Sequence, residues 1–520
     1  MWIVFSPSLL GRTIVAQMEL RIPVFNRATV SSMSRCLFTA LFCCAITASS
    51  VFQALGAPPK KTEVIIVGAG LSGLAAAYEL KKARVPYHIL EIAPRIGGRV
   101  RTVRYHRPGE PETYADSGME EYWQSNPAVQ VIKELKLKHS SDVAVSSIVL
   151  EKRLYPLPKD VTPGGFKKTI FSPPELEALN GFGEKVGPWI KELKPGAPIR
   201  PELMKLKEIS FAEFIGQQKL PSKVSEWIRV SVECEIGTGW DRISALDGLA
   251  EYHIFLGDGE DSYRIVGGND KFTDALARAI GRGNISLNSR VTRIASADGN
   301  GVEVQFLETE SNENGVIRGK YVISTVPLFR LFEVQFVPAL SPKKREAIST
   351  MAWGSYFKAH VFLPAKSARF WTANDTSILP ILSDSELGVI YDGNPQQDGP
   401  TKILSLLVHG DPAESDNMVP LDQTRKQIGD GLDKLWPGIK EEIEGIEFYR
   451  YHPRAIAAWP PGRSRFDDLS NEIRRPENNV YLAGDFTESS HSDGAFISAH
   501  RVVQGILQSL EATKSKSSAR

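Results

Sequence analysis

Cysteine is scarce in this sequence. It has four among 520 residues, and three of them (Cys36, Cys43, Cys44) lie near the N-terminus. With a leader removed, only Cys234 remains, so no internal disulfide and no thiolate zinc site can form, and no metal site is expected. Cys234 itself reads as a small buried apolar residue. An excess of one charge is also missing: 62 basic residues face 61 acidic ones, for a net +1. That balance argues against a polyanionic partner, and without a basic run carrying interleaved aromatics nucleic acid is not expected. No internal repeat is evident either.

The one long apolar run, Cys36 to Phe52, follows the short basic start Met33-Ser34-Arg35 and precedes the small residues of Ala54-Leu55-Gly56. This is the pattern of a cleaved leader, and residues 1–57 are read as a signal or targeting segment. Secretion or entry into the secretory pathway follows. Arg12, Arg21 and Arg27 against Glu19 leave a transit peptide or an over-long start open. A retained anchor is the other alternative, since Cys36 to Gly56 is about the minimum that spans a bilayer. Thr39, Thr47, Ser49, Ser50 and Gln53 weigh against a durable span. Membrane association is thus expected only if this segment stays attached. The sequons Asn284-Ile285-Ser286 and Asn374-Asp375-Thr376 would be usable only on an exported chain.

Glycine, by contrast, is placed with purpose. The apolar run Val64-Ile65-Ile66-Val67 leads into Gly68-Ala69-Gly70-Leu71-Ser72-Gly73 and then into Leu74-Ala75-Ala76-Ala77-Tyr78-Glu79-Leu80. A buried strand, a tight turn and a helix follow one another, the context a dinucleotide fingerprint requires. Glycine lets the backbone turn sharply and lets a pyrophosphate approach the positive helix end. Glu91 closes the next strand, Tyr87 to Leu90, and can accept the hydroxyls of an adenosine ribose. A second cluster, Gly97-Gly98-Arg99, would bring backbone and fixed positive charge against the cofactor.

Farther along, the pattern turns mostly helical from Asn126 to Ile254, with Val129-Ile132-Leu135 and Phe211-Phe214-Ile215 at helical spacing. Strand–turn–helix patterning resumes at Tyr263 to Asp270, then Ile285 to Leu287, Val302 to Phe306 and Tyr321 to Pro327. Strand-like runs at Tyr356 to Leu363 and Ile403 to Val408 are accompanied by an amphipathic helix at Leu421 to Leu435. A last unit covers Val480 to Asp485 and Gly494 to Leu510, and residues 513–520 read as a frayed tail.

Four stretches carry a family resemblance: Gly68 to Gly73 with Glu91 to Thr102 (Arg95, Gly97, Gly98 and Arg99 among them), Ile265 to Asn269, Val322 to Pro327, and Leu482-Ala483-Gly484-Asp485. On them the chain resembles the flavin-containing amine oxidases, the family of monoamine, polyamine and L-amino acid oxidases. The resemblance implies non-covalently held FAD rather than NAD, since no cysteine lies near either end of the flavin site. The implied fold is α/β: a Rossmann-like FAD-binding domain of the glutathione-reductase type, interrupted by an α+β substrate domain with a mixed sheet. The FAD-binding parts are expected at 58–125, 258–330 and 455–512, and the substrate parts at 126–257 and 331–454.

Residue by residue, the resemblance implies that Gly68, Ala69, Gly70, Ser72, Gly73, Glu91, Arg95, Gly97, Gly98 and Arg99 hold the cofactor. The backbone of Val291 would meet the adenine and Gly484-Asp485 the ribityl or pyrophosphate portion. The helix starting near Gly494-Ala495 would point its positive end at the flavin. Lys358 shares a strand face with His360 and Phe362, and matches the family lysine that holds a water beside flavin N5. It is the candidate for catalysis. Glu121 takes the approximate place where the resemblance puts the carboxylate-gripping arginine of L-amino acid oxidases, and the acidic pair Glu120-Glu121 would instead attract a cationic amine. Trp459 matches an aromatic that flanks the amine. His491 falls nearest the position of a second aromatic, the usual tyrosine being absent. The expected activity is oxidative deamination of an amine with oxygen as acceptor, giving hydrogen peroxide. The alternatives are an L-amino acid oxidase, a flavin desaturase or a non-catalytic flavin-fold binding protein. Oligomeric state is not legible.

Overall fold

The computed structural model describes residues 61–518, apart from 143–145, 158–160, 257–259, 374–375, 396, 398 and 452. The leader, the cysteines within it and the sequon at Asn374 lie outside the described residues. Among the described residues no helix is long and apolar enough to cross a membrane.

The β-branched run Val64–Val67 forms a strand buried at all four positions. Val64 and Ile66 face a helical layer, while Ile65 and Val67 face a second sheet. A strand covered on both faces needs this unbroken apolar character. It lies at the centre of a five-stranded sheet in the order 285–286, 87–90, 64–67, 321–324, 480–482, with every neighbouring pair parallel. Helices Leu71–Lys82, Asp270–Ile280 and Ser492–Ser518 cover one face through Leu74, Ala77, Phe272, Leu276, Val502 and Ile506. The other face packs on a four-stranded sheet ordered 314–319, 301–308, 289–297, 335–337.

The second large sheet has seven strands, ordered 445–449, 356–364, 401–409, 389–392, 381–382, 147–150, 153–155, mixed in direction. Strand Tyr356–Pro364 sends Phe357, Ala359, Val361 and Leu363 into a core shared with Ile428 and Leu432 of helix Leu421–Leu435. Its alternate residues, Lys358 and His360, face polar partners. Three helices of the 163–252 region begin on side-chain caps: Thr162, Ser210 and Ser244 each accept a backbone N–H of the first turn.

Two expectations need correction, and one needs detail. The stretch from Asn126 is mostly helical as expected, but residues 139–142, 147–150 and 153–155 within it are strands. Ser147 and Ile148 pair with Ile381 and Leu382, a partner far along the chain that local periodicity cannot reveal. The last helix starts at Ser492 rather than Gly494, and it continues to Ser518 through most of the tail expected to fray. Asn284 of the first sequon donates its side-chain amide to the Ile280 carbonyl at 2.9 Å, capping the preceding helix.

Candidate active site

The glycine loops meet as backbone. Gly70 and Gly97 form a parallel bridge, and a Cβ on Gly98 would lie 3.2 Å from the Gly70 Cα. A Cβ on Gly73 would fall 2.0 Å from the Gly68 carbonyl oxygen, so only glycine lets the helix start this close to its loop. That helix begins at Gly70 without a side-chain cap, and Leu71, Ser72 and Gly73 are buried. Its first N–H groups are therefore available to an anion, and the cradle fits a dinucleotide pyrophosphate. Glu91 accepts the Ala69 N–H at 2.6 Å and the Ala93 N–H at 2.8 Å; burial raises its carboxyl, and these two bonds pull the other way.

Arg99 and Asp485 come together from opposite ends of the chain, with Nη1 and Nη2 donating to the two carboxylate oxygens at 2.8 and 2.5 Å. Arg95 donates instead to the carbonyls of Ile96, Gly98 and Val100, bracing the second glycine loop. The Ser72 and Ser498 hydroxyls lie 3.3 Å apart, and Ser498 also accepts the Gly484 N–H at 2.9 Å. The pairing of strand 289–297 with its neighbour slips between Val291 and Arg293. Ala495 sits in the first turn of the last helix, in the same apolar cluster as Leu74 and Ala76.

On the other side, Lys358 is 3% exposed. Its ammonium donates to the Glu120 carboxylate and to Ser405 Oγ at 3.1 Å, and lies 5.3 Å from the Tyr391 ring centroid. Arg264 approaches the same ring at 5.3 Å, pairs with Glu120 at 3.3 Å and donates to the Asp392 carbonyl at 2.8 Å. The two glutamates expected as a pair thus divide. Glu120 neutralises Lys358 and Arg264, while the charge of Glu121 raises the Tyr391 hydroxyl and the Glu235 carboxyl. Burial, Glu121 and Glu235 together hold the Tyr391 hydroxyl well above its ordinary range. The Glu235 carboxyl is pushed up to about 7, chiefly by burial, with His491 opposing and Glu121 and Glu251 adding to the shift.

His491 is a cation rather than a neutral aromatic. Burial works against its charge, but Glu251 at 2.8 Å and Glu235 at 3.9 Å outweigh burial and hold it at about 9. Glu251 also pairs with Arg465, which bonds Asp247 at 2.7 Å and stacks 4.6 Å from the Trp459 ring. Trp459, 1% exposed, is enclosed with Leu328, Ile348 and Leu482, and its indole N–H donates to Ser470 Oγ at 3.2 Å. Cys234 is buried and free, 3.3 Å from His409 Nε2, its thiol held well above the ordinary value by burial. Sequence reasoning missed Arg264, Tyr391, Ser405, Glu235, Glu251 and Arg465. Each belongs to an ordinary-looking strand, helix or loop, and only the pairing of distant segments marks it.

A glycine cradle for a dinucleotide set beside a buried lysine on a mixed sheet defines a flavoprotein oxidoreductase. A family profile described as flavin containing amine oxidoreductase matches residues 71–507, and the chain belongs to that family. It is an FAD-dependent amine oxidoreductase. The L-amino-acid oxidase of Vipera ammodytes ammodytes is 26% identical over 448 residues, covering 82% of this chain and 88% of that protein. That of Bothrops atrox is 26% identical over 479 residues, covering 88% and 90%. Cyclohexylamine oxidase from Brevibacterium oxydans superposes with a TM-score of 0.72 at 20% identity, covering 87% of this chain and 100% of that one. Putrescine oxidase bound to putrescine gives 0.71 at 18% identity, covering 86% and 99%. These two solved structures share the fold.

Proposed function

We propose that the chain is an oxidase of a cationic amine, which it deaminates with oxygen as acceptor to give a carbonyl product and hydrogen peroxide. The observation that carries this is the acidic flank of Tyr391. Glu121 and Glu235 raise the Tyr391 hydroxyl electrostatically, and Glu235 is a half-buried carboxyl that a bound ammonium would ionise. Bound FAD supplies the chemistry of accepting a hydride from the amine α carbon and passing two electrons to oxygen. The chain binds and orients. Gly68, Ala69, Gly70, Ser72 and Gly73 would face the pyrophosphate, Glu91 the ribose, and Arg99 and Asp485 the middle of the cofactor. Val291 and Ala495 would flank its two ends. Lys358 would hold a proton at Nζ beside the reacting face, and its enclosure by Glu120, Ser405 and Tyr391 excludes bulk water.

The five-stranded parallel sheet with its helices supports a Rossmann-like FAD domain assembled from 58–125, 258–330 and 455–512, with 126–257 and 331–454 as the substrate domain. Residues 1–57 are assigned to export, and the cofactor is assigned as non-covalent because Cys234 is buried in a helix core. An L-amino acid is the alternative substrate class. Two things favour it: the relatives named L-amino-acid oxidase, and Arg264 beside Tyr391, whose guanidinium could meet a carboxylate.

The test is a peroxide assay on flavin-loaded protein with mono-, di- and polyamines and the L-amino acids. Peroxide from amines, with L-amino acids slower, is the expected result. Peroxide from L-amino acids alone would replace the proposal with the alternative, and no peroxide from either would remove the oxidase function.

A further inference from the structure

The stretch Ile265 to Asn269 has no part in the chemistry proposed above. It joins strand Ser262–Ile265 to helix Asp270–Ile280 through Gly267 and Gly268, both at positive φ (92° and 100°). A Cβ on Gly268 would lie 2.3 Å from Thr102 Cγ2, so the turn is pressed against the end of the second glycine stretch. Glycine permits both the turn and the close approach. Together they set Asn269 in the interior, where it is fully buried. Asn269 uses nearly all of its bonding capacity there. Its Nδ2 donates to the Met119 carbonyl at 3.0 Å and to the Glu120 carbonyl at 2.7 Å. Its Oδ1 accepts the Ile265 N–H at 3.1 Å, and its own N–H donates to Asp116 Oδ1 at 3.1 Å. Thr102 donates to the same Asp116 oxygen and accepts the Asp270 N–H at 3.1 Å. Side chain and backbone of the turn are thus both tied to the segment 116–120.

That segment needs holding at Glu120. Ser117 and Met119 donate their N–H groups to the carbonyls of Arg101 and Arg99, at 2.9 and 3.0 Å. This pairing ends at Met119, and strand pairing resumes at Tyr122, opposite Tyr263. Glu120 falls between the two, and Asn269 Nδ2 bridges the gap. From there the Glu120 carboxylate reaches the Lys358 ammonium, Arg264 at 3.3 Å and Ser405 Oγ at 3.5 Å. Arg264 immediately precedes Ile265, whose N–H is the one that Asn269 accepts. One buried amide therefore fixes the backbone on both sides of the Glu120–Arg264 pair. Lysine is a point charge on a flexible stem, so the Lys358 ammonium stays only where its partners stay.

We propose that Asn269 is a positioning residue of the active site: by holding the carbonyls of Met119 and Glu120 it aims the Glu120 carboxylate at Lys358, and so sets where the ammonium stands. The catalytic consequence rests on the role given to Lys358 in amine oxidation. Packing alone would ask only for a side chain of this volume. Holding two carbonyls asks for two donor hydrogens in this place, which an isosteric side chain without them cannot supply.

The test uses Asn269→Asp, which keeps the shape and the acceptor for Ile265 but loses the paired donors. Asn269→Ala is the second variant. The first readout needs no turnover. Lysines of the flavin-loaded protein are acetylated with acetic anhydride and followed by peptide mass spectrometry, with Lys344 as the internal control. Lys344 is as deeply buried, at 1% exposed against 3% for Lys358, and its ammonium donates to the Arg475 carbonyl from helix Pro342–Ser349. Lys358 should label at least about tenfold faster in both variants, while Lys344 keeps its wild-type rate. Wild-type labelling of Lys358 in a folded variant would overturn the proposal. An equal rise at both lysines would overturn it too, since that marks general loosening. The second readout is kinetic. On the amine, kcat should fall about tenfold or more in either variant, with flavin content retained. Glu120→Ala should cost about as much, and adding Asn269→Ala to it should cost little further. Equal losses from Asn269→Ala with and without Glu120 would overturn the proposal, because the asparagine would then not act through that carboxylate. If Asn269→Asp does not fold, Asn269→Ala decides by the same readouts. Should the wild type oxidise no amine, the proposed function fails, and the ratio of labelling at the two lysines still decides the positioning.

Discussion

The two halves of the active site bind with different parts of the chain. On the side proposed for the cofactor the backbone is what is presented: glycines at 68, 70, 73, 97 and 98 bring two loops together and leave a helix start open, within about thirty residues of sequence. On the side proposed for substrate, charged and aromatic side chains come together from the segments around Glu120, Glu235, Arg264, Lys358, Tyr391 and Ser405. At Gly73 and Gly97 the first arrangement tolerates no added atom, because a Cβ would meet the Gly68 carbonyl oxygen at 2.0 Å and that of Val100 at 2.8 Å. The second depends on charge, because Glu120 is the carboxylate that both Lys358 and Arg264 share. Steric failure and electrostatic failure should therefore separate by region.

Gly73→Ala should show the largest effect. Its methyl would meet the Gly68 carbonyl at 2.0 Å, and the protein should lose nearly all bound flavin. Its stability should fall by about 1–3 kcal/mol; co-purified flavin and the melting midpoint measure both. Normal flavin content in this variant would break the contrast at its cofactor end. Lys358→Met should act the other way. Glu120 keeps Arg264 as partner, so flavin stays bound while amine turnover falls about a hundredfold. Loss of flavin together with activity would mean that the two regions are not separable.

The smallest effect concerns His491, whose folded-state value of about 9 lies above its ordinary 6.5. Stability from its charge is fully present below pH 6.5 and is lost as pH rises through about 9. The melting midpoint should decline across that window in the wild type. In His491→Gln it should be flatter there, and identical slopes would mean that the histidine charge adds nothing to stability.

The sequence told more about the first region than about the second, and the reason is physical. A strand, a glycine turn and a helix are contiguous, so Val64–Val67 and Leu71–Lys82 could be read where they stand. Strand alternation likewise put Lys358 and His360 on one face. The Glu120 carboxylate, expected to attract substrate, is instead occupied by Lys358 and Arg264, a contact created by sheet pairing between segments far apart in the chain. The charge on His491 was hidden for the same reason. It depends on Glu251, which is itself held by Arg465.

One hydroxyl joins the extremes of this chain. Ser498 reaches both Ser72 and the Gly484 amide, and strand Val480–Leu482 forms one edge of the five-stranded sheet. Strand Val64–Val67 precedes its sheet partner Val480–Leu482 by some four hundred residues, so the sheet cannot be completed until that late strand is made. Parallel pairing at this separation is slow and leaves apolar edges open meanwhile. A chain shortened before Val480 would therefore leave one edge of the parallel sheet open, with its apolar face uncovered by the last helix.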